Sequence, residues 1–141
     1  MLATPNPDPT ILETMMLKVN CLAAAFAALL AGSVLSSAQA QDAEAGQKVF
    51  KTQCVACHTV IPGKKLVGPS LFGVVGRAAG SETYFTYSAA NKNSGLTWDE
   101  ATLDRYLTSP KAVVPGTIMP YAGLKNDTQR ADLIAYLATL K

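Results

Sequence analysis

The spacing of apolar and polar residues predicts three main helices between residue 41 and the C-terminus. The first helix is expected to begin near Asp42, a residue type that caps helix N-termini, and to run to about Cys57. One stripe of this segment, at the spacing of a helix face, is formed by Gly46, Val49, Phe50, Cys54 and Cys57. A helix with such a stripe buries that face against the rest of the domain.

Two further helices are predicted from capping signals and apolar stripes. Thr97 and Glu100 match the capping-box pattern, which predicts a helix that opens there and ends before Pro110. The last helix is expected to begin near residue 126 or 127 and to reach Leu140. The stripes expected to be buried are Leu103, Tyr106 and Leu107 in the former helix and Leu133, Ile134, Leu137 and Leu140 in the latter.

The segments between these helices show no sustained periodicity. Residues 58–96 are rich in glycine, with a short helical turn expected around Ser88 to Asn93, and the prolines and glycines of residues 110–125 predict a second loop. Such long loops are unusual in a compact domain unless something else organises them. Three helices also make a thin core for about 100 residues. The pattern therefore favours an all-α chain wrapped around a large apolar cofactor.

The first forty residues have the features of a targeting segment. Lys18 supplies a basic start, residues 21–35 form an uncharged apolar run, and Ala38-Gln39-Ala40 is a small-x-small site, so cleavage is expected before Gln41. The run is shorter than the roughly 20 residues that a membrane-spanning helix needs. A retained N-terminal anchor is the alternative. Residues 41–141 would then be the exported domain.

Residues 1–14 do not resemble the start of a signal peptide, because they precede the basic residue and contain three prolines. We hypothesise that translation starts at Met15 or Met16. The signal peptide would then span about residues 15–40.

Composition excludes several classes of protein. The chain has 141 residues, enough for about one domain. A hydrophobic content of 49% and a net charge of +2 exclude a disordered chain and a strongly basic nucleic-acid binder. Residues 41–141 carry eleven lysines and arginines against eight acidic residues, a net charge of +3. The soft or imidazole ligands available in that segment are Cys54, Cys57, His58 and Met119.

Cys54-Val55-Ala56-Cys57-His58 is a C-x-x-C-H motif, the signature of covalent haem c attachment. Two thiols three positions apart at a helix end can reach both vinyl groups of one porphyrin, and the next residue then places an imidazole at the iron. A thioredoxin-like motif is one alternative, but it is expected after a strand in an alternating strand–helix pattern. A structural zinc site is another, but it takes four ligands, whereas this motif offers three.

The residues alone leave the second axial ligand of such an iron open. Met119 is the one methionine after residue 40, in the loop segment Pro115-Gly116-Thr117-Ile118-Met119-Pro120. A loop methionine can equally be core filler. An iron with an open or water-bound sixth position is a third alternative, which would favour gas binding or peroxidase-like chemistry.

With these residues in view, the chain resembles the class I cytochromes c, and more narrowly the small bacterial cytochromes c2 related to mitochondrial cytochrome c. The resemblance covers about residues 43–141. It is carried by Gly46 and Phe50 before CVACH, then by VGPSLFGVVGR (67–77), FTYSAANKNSGLTW (85–98), PGTIMPYAG (115–123) and DLIAYL (132–137). It implies the cytochrome c fold, with three main helices, short helical turns and long loops around one covalently bound haem c. It also implies thioether bonds at Cys54 and Cys57 and axial ligation of the iron by His58 and Met119.

The resemblance further implies residues that surround the haem. The Pro69 carbonyl would accept a hydrogen bond from the His58 imidazole. Residues that match donors to a buried haem propionate are Arg77, Tyr87 and Trp98, and those that match a polar cluster on the methionine side are Asn91, Tyr106 and Thr117. Gly46 with Phe50, and Leu133 with Tyr136, match the crossing of the first and last helices.

The implied function is that of an electron-transfer protein rather than an enzyme. The resemblance predicts a soluble periplasmic one-electron carrier between a quinol-oxidising cytochrome bc1-type complex and a terminal oxidase or a photosynthetic reaction centre. We expect a monomer without stable membrane insertion after processing. The alternatives are a haem protein with an open sixth position and a redox subunit anchored by residues 21–35.

Partner contacts are expected to be transient and to lie at the exposed haem edge. The candidate partner-facing lysines are Lys64, Lys65, Lys111 and Lys125. Gln53 and Ile118 stand where the family often has lysine. Steering by charge is therefore expected to be weaker than in mitochondrial relatives.

Overall fold

The computed structural model describes residues 41–141. The predictions on the targeting segment, the translation start and the removal of residues 1–40 lie outside the described residues. Within residues 41–141, none of the helices combines the length and the apolar character that crossing a bilayer requires.

Five helices make up the regular structure of the described residues: α1 (Ala43–Gln53), α2 (Ala89–Lys92), α3 (Glu100–Thr108), α4 (Pro110–Val113) and α5 (Asp127–Thr139). Ala78, in the long segment between α1 and α2, forms an isolated antiparallel bridge with Thr97, which lies between α2 and α3, and residues 41–141 contain no strand. The predicted all-α class, with three main helices, short helical turns and long loops, is confirmed.

Helix α1 begins as predicted and ends earlier than predicted. The Asp42 carboxylate accepts hydrogen bonds from the Glu44 and Ala45 amides, at 2.8 and 3.1 Å. The helix stops at Gln53 rather than at Cys57, because the chain tightens into a turn in which the Cys57 and His58 amides both bond the Cys54 carbonyl. The haem-attachment motif therefore lies on this turn, beyond the regular helix.

The cap predicted for α3 was wrong by two residues. Thr97 forms the bridge to Ala78, and the backbone of the next residue, Trp98, exchanges hydrogen bonds with Arg77 and Gly76, so the chain is still paired with that segment at the position where the helix was expected to begin. Asp99 is the N-cap instead, and its carboxylate accepts from the Thr102 amide at 2.7 Å. The predicted end before Pro110 is confirmed, because α3 finishes at Thr108.

The two short helices, α2 and α4, lie in the segments that were predicted to be loops. Ser88 caps α2 and Asn93 closes it, which confirms the helical turn expected there. The prediction of a loop over residues 110–125 was wrong in its first turn. Pro110 opens α4, because proline at the first helical position needs no amide donor and has a suitable φ.

The crossing of α1 and α5 is the main helix contact, and it confirms the close approach expected at Gly46. A Cβ atom on Gly46 would lie 1.9 Å from the Asp132 carbonyl oxygen. One turn further along, the rings of Phe50 and Tyr136 pack with centroids 5.7 Å apart. The buried stripe predicted for α5 is present at Leu133, Ile134 and Leu137, which are at most 3% exposed. Leu140 was also expected in this stripe, but it is the C-cap that follows the helix and is only partly buried.

A buried arginine on α5 joins three parts of the fold. Arg130 is 7% exposed, and its guanidinium donates to the Asp104 carboxylate of α3 at 2.6 Å and to the Leu124 carbonyl at 3.0 Å. It also bonds Asp127 at 2.8 Å. The Leu124 contact ties the end of the loop over residues 114–126 to both helices, so Arg130 helps to set the course of that loop.

We expect Gly46→Ala to lower the free energy of unfolding by about 1–3 kcal/mol, the usual cost of overpacking. This net loss should appear even though alanine exceeds glycine by about 1 kcal/mol in helix propensity, because the Asp132 backbone cannot move away from the added methyl group. Denaturant unfolding of the purified protein measures the change. Gln47→Ala, at an exposed position of the same helix, should stay within about 0.5 kcal/mol of the unmodified protein. Equal stability of Gly46→Ala and the unmodified protein would contradict the close crossing.

Candidate cofactor site

A cavity of about 300 Å³ lies between the C-x-x-C-H turn, α3 and the loop that follows α4. Its volume is within the range of small-molecule and cofactor sites, about 300–1,000 Å³. Every site residue expected from the sequence contributes to its wall: Cys54, Cys57, His58, Pro69, Arg77, Tyr87, Asn91, Trp98, Tyr106, Thr117 and Met119. Residues separated by more than sixty positions in the chain are therefore brought to one site.

Most other wall residues are apolar and were not predicted as site residues from the sequence. They include Val67, Leu71, Val74, Phe85, Leu103, Leu107, Ile118 and Leu137. Leu103, Leu107 and Leu137 were predicted as buried helix positions. Periodicity identified them as core, but it carries no signal that separates core from cavity wall.

Cys54 and Cys57 present two half-buried free thiols at the turn after α1. Burial, and to a smaller extent the neighbouring Cys57, raise the pKa of the Cys54 thiol to about 11. The Cys54 thiol is therefore neutral at physiological pH. Its surroundings do not activate Cys54 as a thiolate nucleophile of the thioredoxin type.

His58 is fixed by one hydrogen bond. Its Nδ1 lies 2.8 Å from the Pro69 carbonyl oxygen. A carbonyl oxygen only accepts, so Nδ1 carries the proton and the Nε2 lone pair stays free to bind a metal. Burial lowers the pKa of the imidazole, and the bond to Pro69 opposes that shift without cancelling it. The ring is therefore held neutral, the form that ligates metals.

The segment over residues 59–71 folds back onto the motif to provide this carbonyl. The Gly68 amide bonds the Cys57 carbonyl and the Leu71 amide bonds the Thr59 carbonyl, both at 2.8 Å. Gly68 lies against the imidazole so closely that a Cβ atom there would come within 2.3 Å of the ring. The return of the chain at this point requires glycine.

The opposite wall places Met119 beside two hydroxyl groups. Tyr106 Oη lies 3.2 Å from Thr117 Oγ1 and donates to Met119 Sδ at 3.5 Å. The Met119 amide donates to Thr117 Oγ1 at 3.3 Å. Tyr106 is 7% exposed and sits on α3, so a rigid helix supports the loop that carries the thioether.

The far end of this loop is pinned to α3. The Leu124 amide bonds the Leu107 carbonyl at 2.8 Å, and Lys125 donates to the Thr108 carbonyl. A Cβ atom on Gly123 would lie 2.1 Å from that same Thr108 carbonyl oxygen. Together with the Arg130 contact to Leu124, these bonds hold the C-terminal end of the segment that includes Met119.

The remaining polar residues of the wall differ in how they are satisfied. The ring of Trp98 packs on Tyr106 with centroids 4.7 Å apart. Asn91 is 9% exposed, and its Oδ1 has no hydrogen-bond partner among the described residues. A buried amide oxygen without a partner is rare in a folded protein. Because Asn91 lies on the cavity wall, a molecule bound in the cavity could supply the missing hydrogen-bond partner of Oδ1.

Arg77 brings a positive charge to the same wall. Its guanidinium donates to the Phe72 and Ser70 carbonyls at 3.0 Å each, and it forms an ion pair with Glu82. Burial raises the pKa of the nearby Tyr87 hydroxyl, and the Arg77 charge acts against that shift. Neither Glu82 nor its pairing with Arg77 was expected, because an acidic residue in an irregular loop gives no periodic or motif signal.

The donor set fits a haem c. The apolar wall suits a porphyrin, the two thiols are spaced for its vinyl groups, and a neutral imidazole and a thioether line the same cavity. Within residues 41–141, no group of three or more His, Cys, Asp or Glu side chains could hold a bare metal ion.

Comparison with known proteins agrees with this chemistry. The family model for cytochrome c matches residues 43–141. The cytochrome c2 of Rhodomicrobium vannielii is 60% identical over 105 residues, which cover 74% of this chain and 83% of that protein. The cytochrome c2 of Rhodoblastus acidophilus is 55% identical over 103 residues, 72% of this chain and 95% of that protein.

A solved structure gives the same result for the fold. Cytochrome cH from Methylobacterium extorquens aligns with a TM-score of 0.66 at 47% sequence identity. The alignment covers 70% of this chain and 98% of that structure.

We expect Gly68→Ala to displace the imidazole and break its bond to Pro69, because the added methyl group has no space beside the ring. The free energy of unfolding should fall by more than about 1 kcal/mol, and the fraction of purified chains with a low-spin haem spectrum should fall with it. Gly63→Ala is the matched control, since its φ of +68° adds backbone strain but a Cβ atom there meets nothing within 4 Å. That control should lose some stability and keep its spectrum. Identical spectra for both variants would argue against the packing at Gly68.

Proposed function

Because this chain belongs to the cytochrome c family, whose members carry one covalently attached haem c and transfer electrons, we propose that it is a soluble periplasmic one-electron carrier with His58 and Met119 as axial haem ligands. The observation that carries the proposal is the convergence of Cys54, Cys57, His58 and Met119 on one cavity. The haem supplies the reversible one-electron iron couple, and ligation by histidine and methionine favours a high potential. It is an electron-transfer protein, not an enzyme.

The residues of this chain would hold the haem from two sides. Cys54 and Cys57 would form the thioether bonds, and His58, kept neutral by burial, would ligate through Nε2. On the other side Met119 would ligate through Sδ. The Tyr106 hydroxyl, 3.5 Å from Sδ, and Thr117 would keep the thioether in place.

The support around Met119 favours a carrier over a haem protein with an open sixth position. The Met119 side chain packs against the core cluster, and its loop is bonded to α3 at Leu124. A ligand held in this way would move little when the iron gains or loses an electron. Peroxide or gas chemistry would need that thioether to move aside.

The mouth of the cavity supports transient docking of redox partners. Val67 and Ile118 both line the cavity and are 71% and 67% exposed. Exposed apolar side chains at a functional opening favour contact with another protein. Lys64, Lys65, Lys111 and Lys125 are exposed as well, so we propose that they add a modest attraction for acidic partners.

The proposed partners are a quinol-oxidising bc1-type complex as donor and a terminal oxidase or photosynthetic reaction centre as acceptor. The contacts would be weak and small, below about 1,200 Å², as is usual for redox encounters. Residues 1–40 would direct export and be removed before Gln41, so that the domain reaches these partners from the periplasm as a monomer.

We expect Met119→Ala to retain covalent haem and to lose the low-spin spectrum of a histidine–methionine site, because the thioether that Met119 brings to the cavity wall is removed. Oxidised and reduced absorption spectra, with haem staining on a denaturing gel, measure both properties. Ile118→Ala, at the neighbouring exposed residue, is the control and should keep the low-spin spectrum. An unchanged spectrum in Met119→Ala would refute ligation by Met119 and would favour the open-site alternative.

We expect Ile118→Lys to raise the rate of reaction with a purified cytochrome oxidase by roughly twofold to fivefold at low salt, because the new charge lies at the docking surface and steers an acidic partner. The gain should shrink as salt is added. Stopped-flow oxidation of the reduced protein at several salt concentrations measures it, after a spectrum has shown that the haem ligation is intact.

Ile61→Lys is the matched control for Ile118→Lys, because Ile61 is 52% exposed but does not line the cavity. It changes the net charge equally and should change the rate less. Equal rate increases in the two variants would show that overall charge, rather than the cavity mouth, attracts the partner.

A further inference from the structure

Glu82 is an acidic residue beside the cavity that the proposed function does not use. Its Oε1 accepts from Arg77 Nη1 at 2.5 Å, and the two side chains are 26% and 15% exposed. Arg77 lines the cavity and Glu82 does not. Glu82 can therefore influence the cavity through the charge of the arginine.

The position of Arg77 does not depend on Glu82. The Phe72 carbonyl accepts from Nη1 and the Ser70 carbonyl accepts from Nη2, each at 3.0 Å. These carbonyl groups hold the guanidinium but leave its net charge in place. Glu82 supplies the opposite charge. The backbone carbonyl groups therefore determine where the guanidinium lies, whereas Glu82 determines how much of its electrostatic field reaches the cavity.

Both charges act on the wall of the cavity. Burial is the largest influence on the Tyr87 hydroxyl and raises its pKa, while Arg77 lowers this pKa and Glu82 raises it. Tyr87 is itself a wall residue. The charges of Arg77 and Glu82 would therefore also act on a group bound inside the cavity.

We propose that Glu82, by compensating the charge of Arg77, lowers the reduction potential of the haem held in this cavity. Reduction adds a negative charge to the site, so an uncompensated cation on the wall favours the reduced form. Glu82 compensates that cation and weakens the preference. This inference rests on the proposed function, since it needs a reversible one-electron site.

Coulomb's law gives the size of the effect. Two unit charges about 10 Å apart, at an effective dielectric constant of about 20, change an equilibrium constant roughly tenfold. Solvent screens part of this, because Glu82 is 26% exposed. We therefore expect roughly a threefold to tenfold change in the redox equilibrium constant, where tenfold corresponds to about 59 mV for one electron.

The test is the midpoint potential of the haem-loaded protein, measured by spectroelectrochemistry for three variants. Glu82→Gln removes the charge and keeps the shape of the side chain. Its midpoint potential should therefore rise by the amount that corresponds to a threefold to tenfold change in the redox equilibrium constant. Glu82→Asp keeps the charge and should remain close to the unmodified protein. Glu44→Gln removes one charge from an exposed residue in the first turn of α1 and should leave the potential where it was.

A purely structural contribution of Glu82 predicts the opposite sign. Loosening the loop would admit water to the cavity, and greater solvent exposure lowers the potential of a haem. An unchanged or lower potential in Glu82→Gln overturns the inference, as does an equal rise in Glu44→Gln. The proposed function fails separately, if the unmodified protein lacks a low-spin spectrum and a reversible one-electron wave.

Discussion

The hydrogen bond from His58 Nδ1 to the Pro69 carbonyl is the interaction on which the site depends. It fixes the tautomer, orients the ring and leaves Nε2, the nitrogen proposed to bind the iron, free. The bond exists because the chain returns to the motif through Gly68, whose amide bonds the Cys57 carbonyl. A segment without regular secondary structure is thus held against the motif by backbone hydrogen bonds and by a close approach that only glycine allows.

The hydrophobic core and the cavity wall share residues. Trp98, Leu103, Tyr106, Leu107 and Leu137 are all at most 8% exposed, and all line the cavity. In a small chain with long loops, the haem of this family completes the core as well as carrying the electron. Substitutions among these residues therefore alter stability and ligation together. Glu82 and Ile118 lie at the margins of the cavity, where charge and docking can be changed while the core packing stays intact.

The two proposed ligands are positioned in different ways. His58 follows Cys57 directly, so local chain geometry places it next to the attachment thiols. Met119 lies far along the chain, and its position depends on α3, which supplies the Tyr106 hydroxyl and the Leu107 carbonyl. The position of Met119 is thus controlled by tertiary packing. Arg130 links this packing to α5, because it bonds both Asp104 of α3 and the Leu124 carbonyl.

The sequence by itself determined the chemistry of this protein and the faces of its helices. The C-x-x-C-H motif, the scarcity of other ligands and the family resemblance led to eleven residues that all line one cavity, and apolar spacing located the buried stripes of α3 and α5. Only the tertiary structure decided that α1 stops at Gln53, that Asp99 caps α3, and that Arg77 pairs with Glu82. Those features depend on bonds between segments distant in the chain or on loop turns without periodicity. Local patterns report which face of a helix is buried, but not which partner a loop residue meets.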